Sequence, residues 1–191
     1  ADAVAINQTD DVLAPSFLKS RKSSFSALKN SSFIAAELIL NWNVAGPTLC
    51  VRKCAYDPVD GIGPYREDLY AEDRQFYLGL LSVNRLRFLD EKVAYYRIVN
   101  SSMSNAANNR LKLFQCWVRV DEVYLSKFMR ANKFFLRVNL YLIQSVLALE
   151  LKPTLAARFQ LFYAKIQRKL VYAAFRCYVF FVTNLLPCTR K

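Results

Sequence analysis

Residues 70–83, Tyr-Ala-Glu-Asp-Arg-Gln-Phe-Tyr-Leu-Gly-Leu-Leu-Ser-Val, decide how the chain is read. The spacing predicts a helix from Ala71 to Val83, with Glu72 and Asp73 in its first turn, where the helix dipole favours carboxylates. Upstream, residues 57–68 (Asp-Pro-Val-Asp-Gly-Ile-Gly-Pro-Tyr-Arg-Glu-Asp) concentrate Gly, Pro and Asp as an irregular functional loop does. Downstream, Arg85 to Leu89 alternates like a strand. Asp90-Glu91 makes the turn and Lys92 to Ile98 the partner strand. A helix set between a loop and strands implies an α/β region.

Working towards the N-terminus, Phe33 to Trp42 has helical spacing, and Gly46-Pro47 ends it. Thr48 to Val51 is a short buried strand by pattern. Ala3 to Ile6 is another, followed by an acidic turn at Asp10 and Asp11. Ser16 to Ser32, rich in Ser and Lys, reads as an exposed loop with room for a helical turn.

Towards the C-terminus, residues 105–191 contain no Gly, and Pro only at 153 and 187, so the segment is helical. Folding 110–137 as one helix brings Lys112, Arg119, Arg130 and Arg137 within about 20° of one another, with Lys133 nearby. A second helix likewise aligns Arg158, Lys165, Lys169 and Arg176. Asn139, Gln144, Ser145 and Glu150 interrupt the first apolar run and Arg176 the second, so neither matches the roughly 20 apolar residues of a membrane span. Lying in the interface, with Arg119, Arg130, Arg137, Arg158, Lys165 and Lys169 towards lipid phosphates, fits the pattern. The other reading packs these helices on protein and leaves the basic edges solvated.

Composition agrees with that split. The chain is 54% hydrophobic, with 14 Phe and 11 Tyr, above the roughly 45–50% of soluble domains. Residues 1–105 carry 12 basic and 12 acidic side chains, whereas 106–191 carry 15 and 3, which is the whole net charge of +12. Such a basic, aromatic segment suits an anionic membrane or a nucleic acid, but no nucleic-acid module is recognisable and no such partner is expected. There is no histidine, and Cys50, Cys54, Cys116, Cys177 and Cys188 have no paired C-x-x-C spacing. A zinc site is not expected, and the cysteines read as buried thiols of a reducing compartment. The N-x-[ST] triplets at Asn7, Asn30 and Asn100 read as chance matches.

One further pattern is more specific. In order come Gly46-Pro47-Thr48 with Arg52, Gly61-Ile62-Gly63-Pro64-Tyr65, Tyr70-Ala71-Glu72-Asp73 opening a helix, and Phe88-Leu89-Asp90-Glu91. Tyr95-Tyr96-Arg97 then runs into Asn100-Ser101-Ser102-Met103-Ser104. This order and spacing, covering Asn43 to Ser104, resembles the acceptor half of family 2 glycosyltransferases, which have the GT-A fold. The resemblance implies that Asp73 is the catalytic base. It places Glu72, Gly46, Gly61, Gly63 and Tyr65 on the acceptor side, and Arg97, Asn100 and Ser101 on a loop beside the donor diphosphate. The implied reaction is inverting transfer from a nucleotide-sugar to a sugar or lipid-linked acceptor, in cell-surface polysaccharide or glycolipid synthesis.

Three departures bound the carry-over. Val99 stands where the family often has His, Gly79 where it often has Arg, and no Asp-x-Asp occurs in the chain. That motif coordinates the family's divalent metal, Mn or Mg, through hard oxygen ligands. The expectation is therefore a piece of a longer, metal-dependent enzyme, with the donor half preceding Ala1 and no metal held by this chain alone. Residues 1–105 are expected to form the second half of a GT-A sheet with an exposed edge, and 106–191 a basic amphipathic helical extension. The expected location is cytoplasmic, peripheral on the inner membrane face. The competing expectation is a non-catalytic module that binds a membrane surface or a partner through its basic helices.

Overall fold

The computed structural model describes residues 1–57, 69–70, 72–99 and 107–184. Among these, the mixed α/β fold is mostly helical, with seven helices and one small sheet. Asp2–Ile6 forms β1, buried along almost its whole length. Val12–Ala14 forms β2, antiparallel to it, and Lys92–Arg97 forms β3, parallel to it, giving the order β2-β1-β3. A parallel pair needs a long crossover, and the helices between β1 and β3 supply it.

Those helices begin with two short ones, α1 (Phe17–Ser20) and α2 (Phe25–Lys29). Ser16 Oγ accepts from Lys19 N at 3.1 Å and so caps α1. Buried Asp2 accepts from Ser16 Oγ at 2.6 Å and Leu18 N at 3.1 Å, which ties α1 to β1. The expected exposed loop over 16–32 is thus partly a core element, with Phe17, Leu18, Ala27 and Leu28 buried. Ile34–Leu40 forms α3 and Glu72–Ser82 forms α4, close to the predicted bounds.

Two expected strands are absent. Residues 46–48 form a 3-10 turn with Pro47 inside it, which leaves no strand from Thr48. The stretch after α4 caps that helix instead of pairing with β3. Asn84 takes a left-handed φ of 55°, Asn84 N donates to Leu81 O at 3.1 Å, and Arg85 N donates to Leu80 O at 2.8 Å. These are the two bonds of a Schellman ending. With Asn84 and Arg85 committed to the cap, β3 takes β1 as its partner. Val93 and Tyr95 on β3 are exposed, and β3 ends the sheet among the described residues.

The C-terminal segment is three helices, not two: α5 (Ala107–Leu125), α6 (Arg130–Leu151) and α7 (Leu155–Asn184). The break at 126–129 sends buried Phe128 into the core and folds α6 back along α5. Arg110 at the start of α5 pairs with Glu150 at the end of α6 at 3.4 Å, as in an antiparallel hairpin. Residues 131–151 are long and apolar enough to cross a membrane, with mean hydropathy 1.4. In this fold, however, α6 packs on α3, α5 and α7, and its Asn139 and Ser145 are buried and hydrogen-bonded.

One hydrophobic cluster joins both halves of the chain. Ala3, Ala5, Leu38, Ile39, Phe76 and Leu78 pack in it together with Cys116, Val120, Tyr124, Phe128 and Leu136. A smaller cluster of Ala27, Ala36, Leu40, Phe175 and Val179 seats α7 on α2 and α3. Cys50, Cys54 and Cys177 are exposed and only Cys116 is buried, so the expectation of buried thiols holds for one of the four described cysteines. Cys188 lies outside the described residues.

Candidate functional site

The α4 start is held by the side chain of Arg74, directly after Asp73. Its guanidinium is fully buried and grips Asp121 of α5 in a two-point pair, Nε to Oδ1 at 2.8 Å and Nη2 to Oδ2 at 2.7 Å. Trp42 and Trp117 lie against it, with ring centroids 4.8 and 5.0 Å from its central carbon. Asn139 of α6 donates to the same Asp121 oxygen at 3.3 Å. A fork-to-carboxylate pair between aromatic faces fixes both position and orientation, so the first turn of α4 is pinned to two other helices. Among the described residues, Arg74 Nη1 has no hydrogen-bond partner.

Outward from this anchor, Glu72 and Asp73 are exposed to solvent. Asp73 Oδ1 accepts from Arg74 N at 2.6 Å. Desolvation by the protein behind it pushes the Asp73 carboxyl above its usual range, against that hydrogen bond, and the charge of Glu72 pushes the same way.

Asp73, Tyr77 and Leu80 share one face of α4, spaced i, i+4 and i+7. Tyr77 and Leu80 line a cleft of about 750 Å³. Leu18, Leu28, Leu38, Val51 and Leu86 give it an apolar lining, and Asn43, Thr48, Arg52, Arg85 and Arg87 add polar groups. Cavities of this size and mixed lining are where small molecules bind. The cleft stops short of Asp73, one helical turn away.

The remaining predicted residues fare differently. Gly46 opens the 3-10 turn, and a Cβ added there meets nothing within 4 Å, so no close approach demands glycine. Arg97 faces the β1–β2 turn: Nη1 donates to Asn7 O at 2.9 Å and Gln8 O at 3.2 Å, and Nη2 pairs with Asp10 at 2.6 Å. Gly61, Gly63, Tyr65, Asn100, Ser101 and the Arg130 side chain lie outside the described residues. Arg119 is exposed on α5, Arg137 on α6, and Arg158, Lys165 and Lys169 on α7. The stripe drawn through 112, 119, 130 and 137 is therefore split by the break at 126–129, whereas the stripe from Arg158 to Arg176 lies on one helix.

No family model, no curated protein and no solved structure matches the chain.

Among the described residues, no group of three or more Cys, Asp or Glu side chains stands together as a metal cage requires. Among the described residues, Glu72 and Asp73 are two carboxylates with no third donor of that kind grouped with them. Residue patterns alone missed Arg74 and Asp121. A signal was present: Asp121 falls on the helix face that carries Cys116, Val120 and Tyr124, and an acid on an apolar face calls for a buried partner.

Proposed function

We propose that this chain supplies the acceptor side of an inverting sugar-transfer site, with Asp73 as the base. The observation that supports the reading best is the setting of Asp73. It is accessible to solvent, its proton affinity is raised, and it stands one turn from a cleft wall on a helix start pinned by Arg74. A base works best when its pKa is drawn towards the operating pH while the group remains ionised. The order of motifs from Asn43 to Ser104 points the same way.

In the proposed reaction an acceptor hydroxyl attacks the anomeric carbon of a nucleotide-sugar from the face opposite the leaving group. The new carbon–oxygen bond forms as the bond to the diphosphate breaks, and the nucleoside diphosphate leaves with that electron pair. The hydroxyl proton passes to an Asp73 carboxylate oxygen. Glu72 contacts the acceptor and, by its charge, raises the proton affinity of Asp73. Donor binding and any divalent metal belong, on this reading, to a partner half that carries the Asp-x-Asp absent here.

Asp73→Asn in an enzyme that joins both halves tests the assignment. Removing a general base costs about 10²- to 10⁴-fold, so transfer falls by that factor while nucleotide-sugar affinity holds. Unchanged transfer sinks the assignment and favours the non-catalytic module. The division of labour has its own test: the purified 191-residue chain, given nucleotide-sugar, acceptor and Mn²⁺, shows no turnover.

A further inference from the structure

The helix α7 has three faces, and the structure accounts for two. Ala157, Leu161, Ala164, Phe175 and Val179 are buried against the body of the protein. Arg158, Lys165, Lys169 and Arg176 form an exposed edge beside them, spanning about 40° at 100° per residue. The third face points away from the protein. Phe159, Phe162, Tyr163, Ile166, Leu170 and Phe181 lie within an arc of about 100° that continues from the basic edge. Exposure on this face runs from 39% at Ile166 to 70% at Leu155. From Leu155 to Leu170 the strip extends about 22 Å at 1.5 Å per residue, with a large apolar side chain at every turn; the exposed Ala173, Ala174 and Cys177 continue that face to Phe180 and Phe181. Single exposed apolar side chains need no explanation, but a contiguous strip does.

Charge selects the occupant. Residues 151–191 contain no Asp or Glu, so every ionised side chain on α7 is a cation. A second copy docking α7 against α7 offers no acid to meet Arg158, Lys165, Lys169 and Arg176. An anionic bilayer offers apolar depth under the aromatic strip and phosphates along its margin, at the level to which long basic side chains reach. We infer that the outer face of α7 lies in the plane of an anionic phospholipid surface, with Phe159, Phe162, Ile166 and Leu170 below the phosphates and Lys165 and Lys169 among them. This narrows the membrane surface from all the basic helices to α7. Arg119 and Arg137 belong to other helices and take no part. The inference does not rest on the sugar-transfer reading.

Flotation of the full chain with vesicles of 70:30 phosphatidylcholine and phosphatidylglycerol tests it, beside vesicles of phosphatidylcholine alone. The chain partitions to the anionic vesicles, and raising the salt weakens that binding. Each basic residue near such a surface contributes about 1 kcal/mol, which is about 5-fold, so Lys165→Gln with Lys169→Gln lowers partitioning about 25-fold. Phe162→Asp with Leu170→Asp abolishes it. Both side chains are exposed, so the helical circular dichroism signal stays unchanged. Arg119→Gln with Arg137→Gln changes partitioning less than 2-fold. Phe162→Trp shifts its fluorescence to the blue on binding anionic vesicles. Equal partitioning to both vesicle types overturns the inference. So does binding that survives Phe162→Asp with Leu170→Asp. A dimer in solution that those two substitutions dissolve, without vesicle binding by the parent chain, assigns the strip to a second copy and overturns it too.

Discussion

At the scale of residues, the fold depends most sharply on the pair between Arg74 and Asp121. Both side chains are wholly out of water, and their charges cancel only while both are present. Removing one partner of such a pair costs about 3 to 5 kcal/mol, because the other is left charged and dry, whereas replacing both with apolar groups of similar size is often neutral. Arg74→Met is therefore expected to lower the unfolding free energy obtained from urea titration by an amount in that range. Arg74→Met with Asp121→Leu recovers most of the loss. Trp42 and Trp117 are already placed to pack on an apolar side chain. If the double substitution is as damaging as the sum of the singles, the two residues are not coupled and the anchoring role given to them fails. The same pair holds the helix start that carries Asp73.

At the scale of elements, α7 is latched to α3 through a second buried acid. Glu37 Oε1 accepts from Tyr172 Oη at 2.8 Å, Ser24 N at 3.0 Å and Asn41 Nδ2 at 3.2 Å, while Oε2 has no hydrogen-bond partner among the described residues. Burial raises the Glu37 carboxyl above its usual 4.5 despite these bonds and the nearby Arg176 charge, and burial, followed by the charge of Glu37, pushes the Tyr172 hydroxyl up as well. A raised carboxyl means that the folded chain holds the proton to higher pH than the unfolded chain does. Above pH 4.5, then, stability falls as the pH rises through the folded value, and the penalty disappears below 4.5. In thermal melts across that window, Glu37→Gln is expected to flatten the fall seen in the parent. An identical pH profile for both chains refutes it. Periodicity revealed α3, α4, β1 and β3 because each carries a run long enough to show its period. It missed the break at 126–129, where no Gly or Pro marks the end of a helix. Lys127 N still donates to Tyr124 O at 3.0 Å, Met129 turns extended, and the burial of Phe128 in the core accompanies the turn. It missed the cap at Asn84 for a related reason: residues 85–89 alternate as a strand does, but helix-ending hydrogen bonds claim the first of them. Glu37 and Asp121 escaped notice because their partners are 135 and 47 residues away.

At the scale of the whole molecule, the charge boundary and the packing boundary differ. The change from neutral to basic near residue 105 suggests two units, yet the main core runs through it, taking β1, α3 and α4 from one side and Cys116, Val120, Tyr124, Phe128 and Leu136 from the other. A chain ended after residue 106 exposes the inner faces of α3 and α4. It also leaves Arg74 charged with neither Asp121 nor Trp117 beside it, and a buried guanidinium without a partner does not stay buried. Residues 1–106 expressed alone are therefore expected to show no cooperative urea transition and to associate, aided by the β3 edge, which has no strand partner beyond it among the described residues and where Val93 and Tyr95 are exposed. The full chain is expected to unfold in one transition, with circular dichroism and tryptophan fluorescence superimposing, because Trp42 and Trp117 report on the joint between the two halves. Separate transitions for the two probes, or a sharp transition in the short chain, refute the shared core. Such a core links the two proposals: α7 packs on α6, and α6 on α3, in the same body that carries Asp73, so an α7 seated on a membrane would set the height of the Asp73 carboxylate above it.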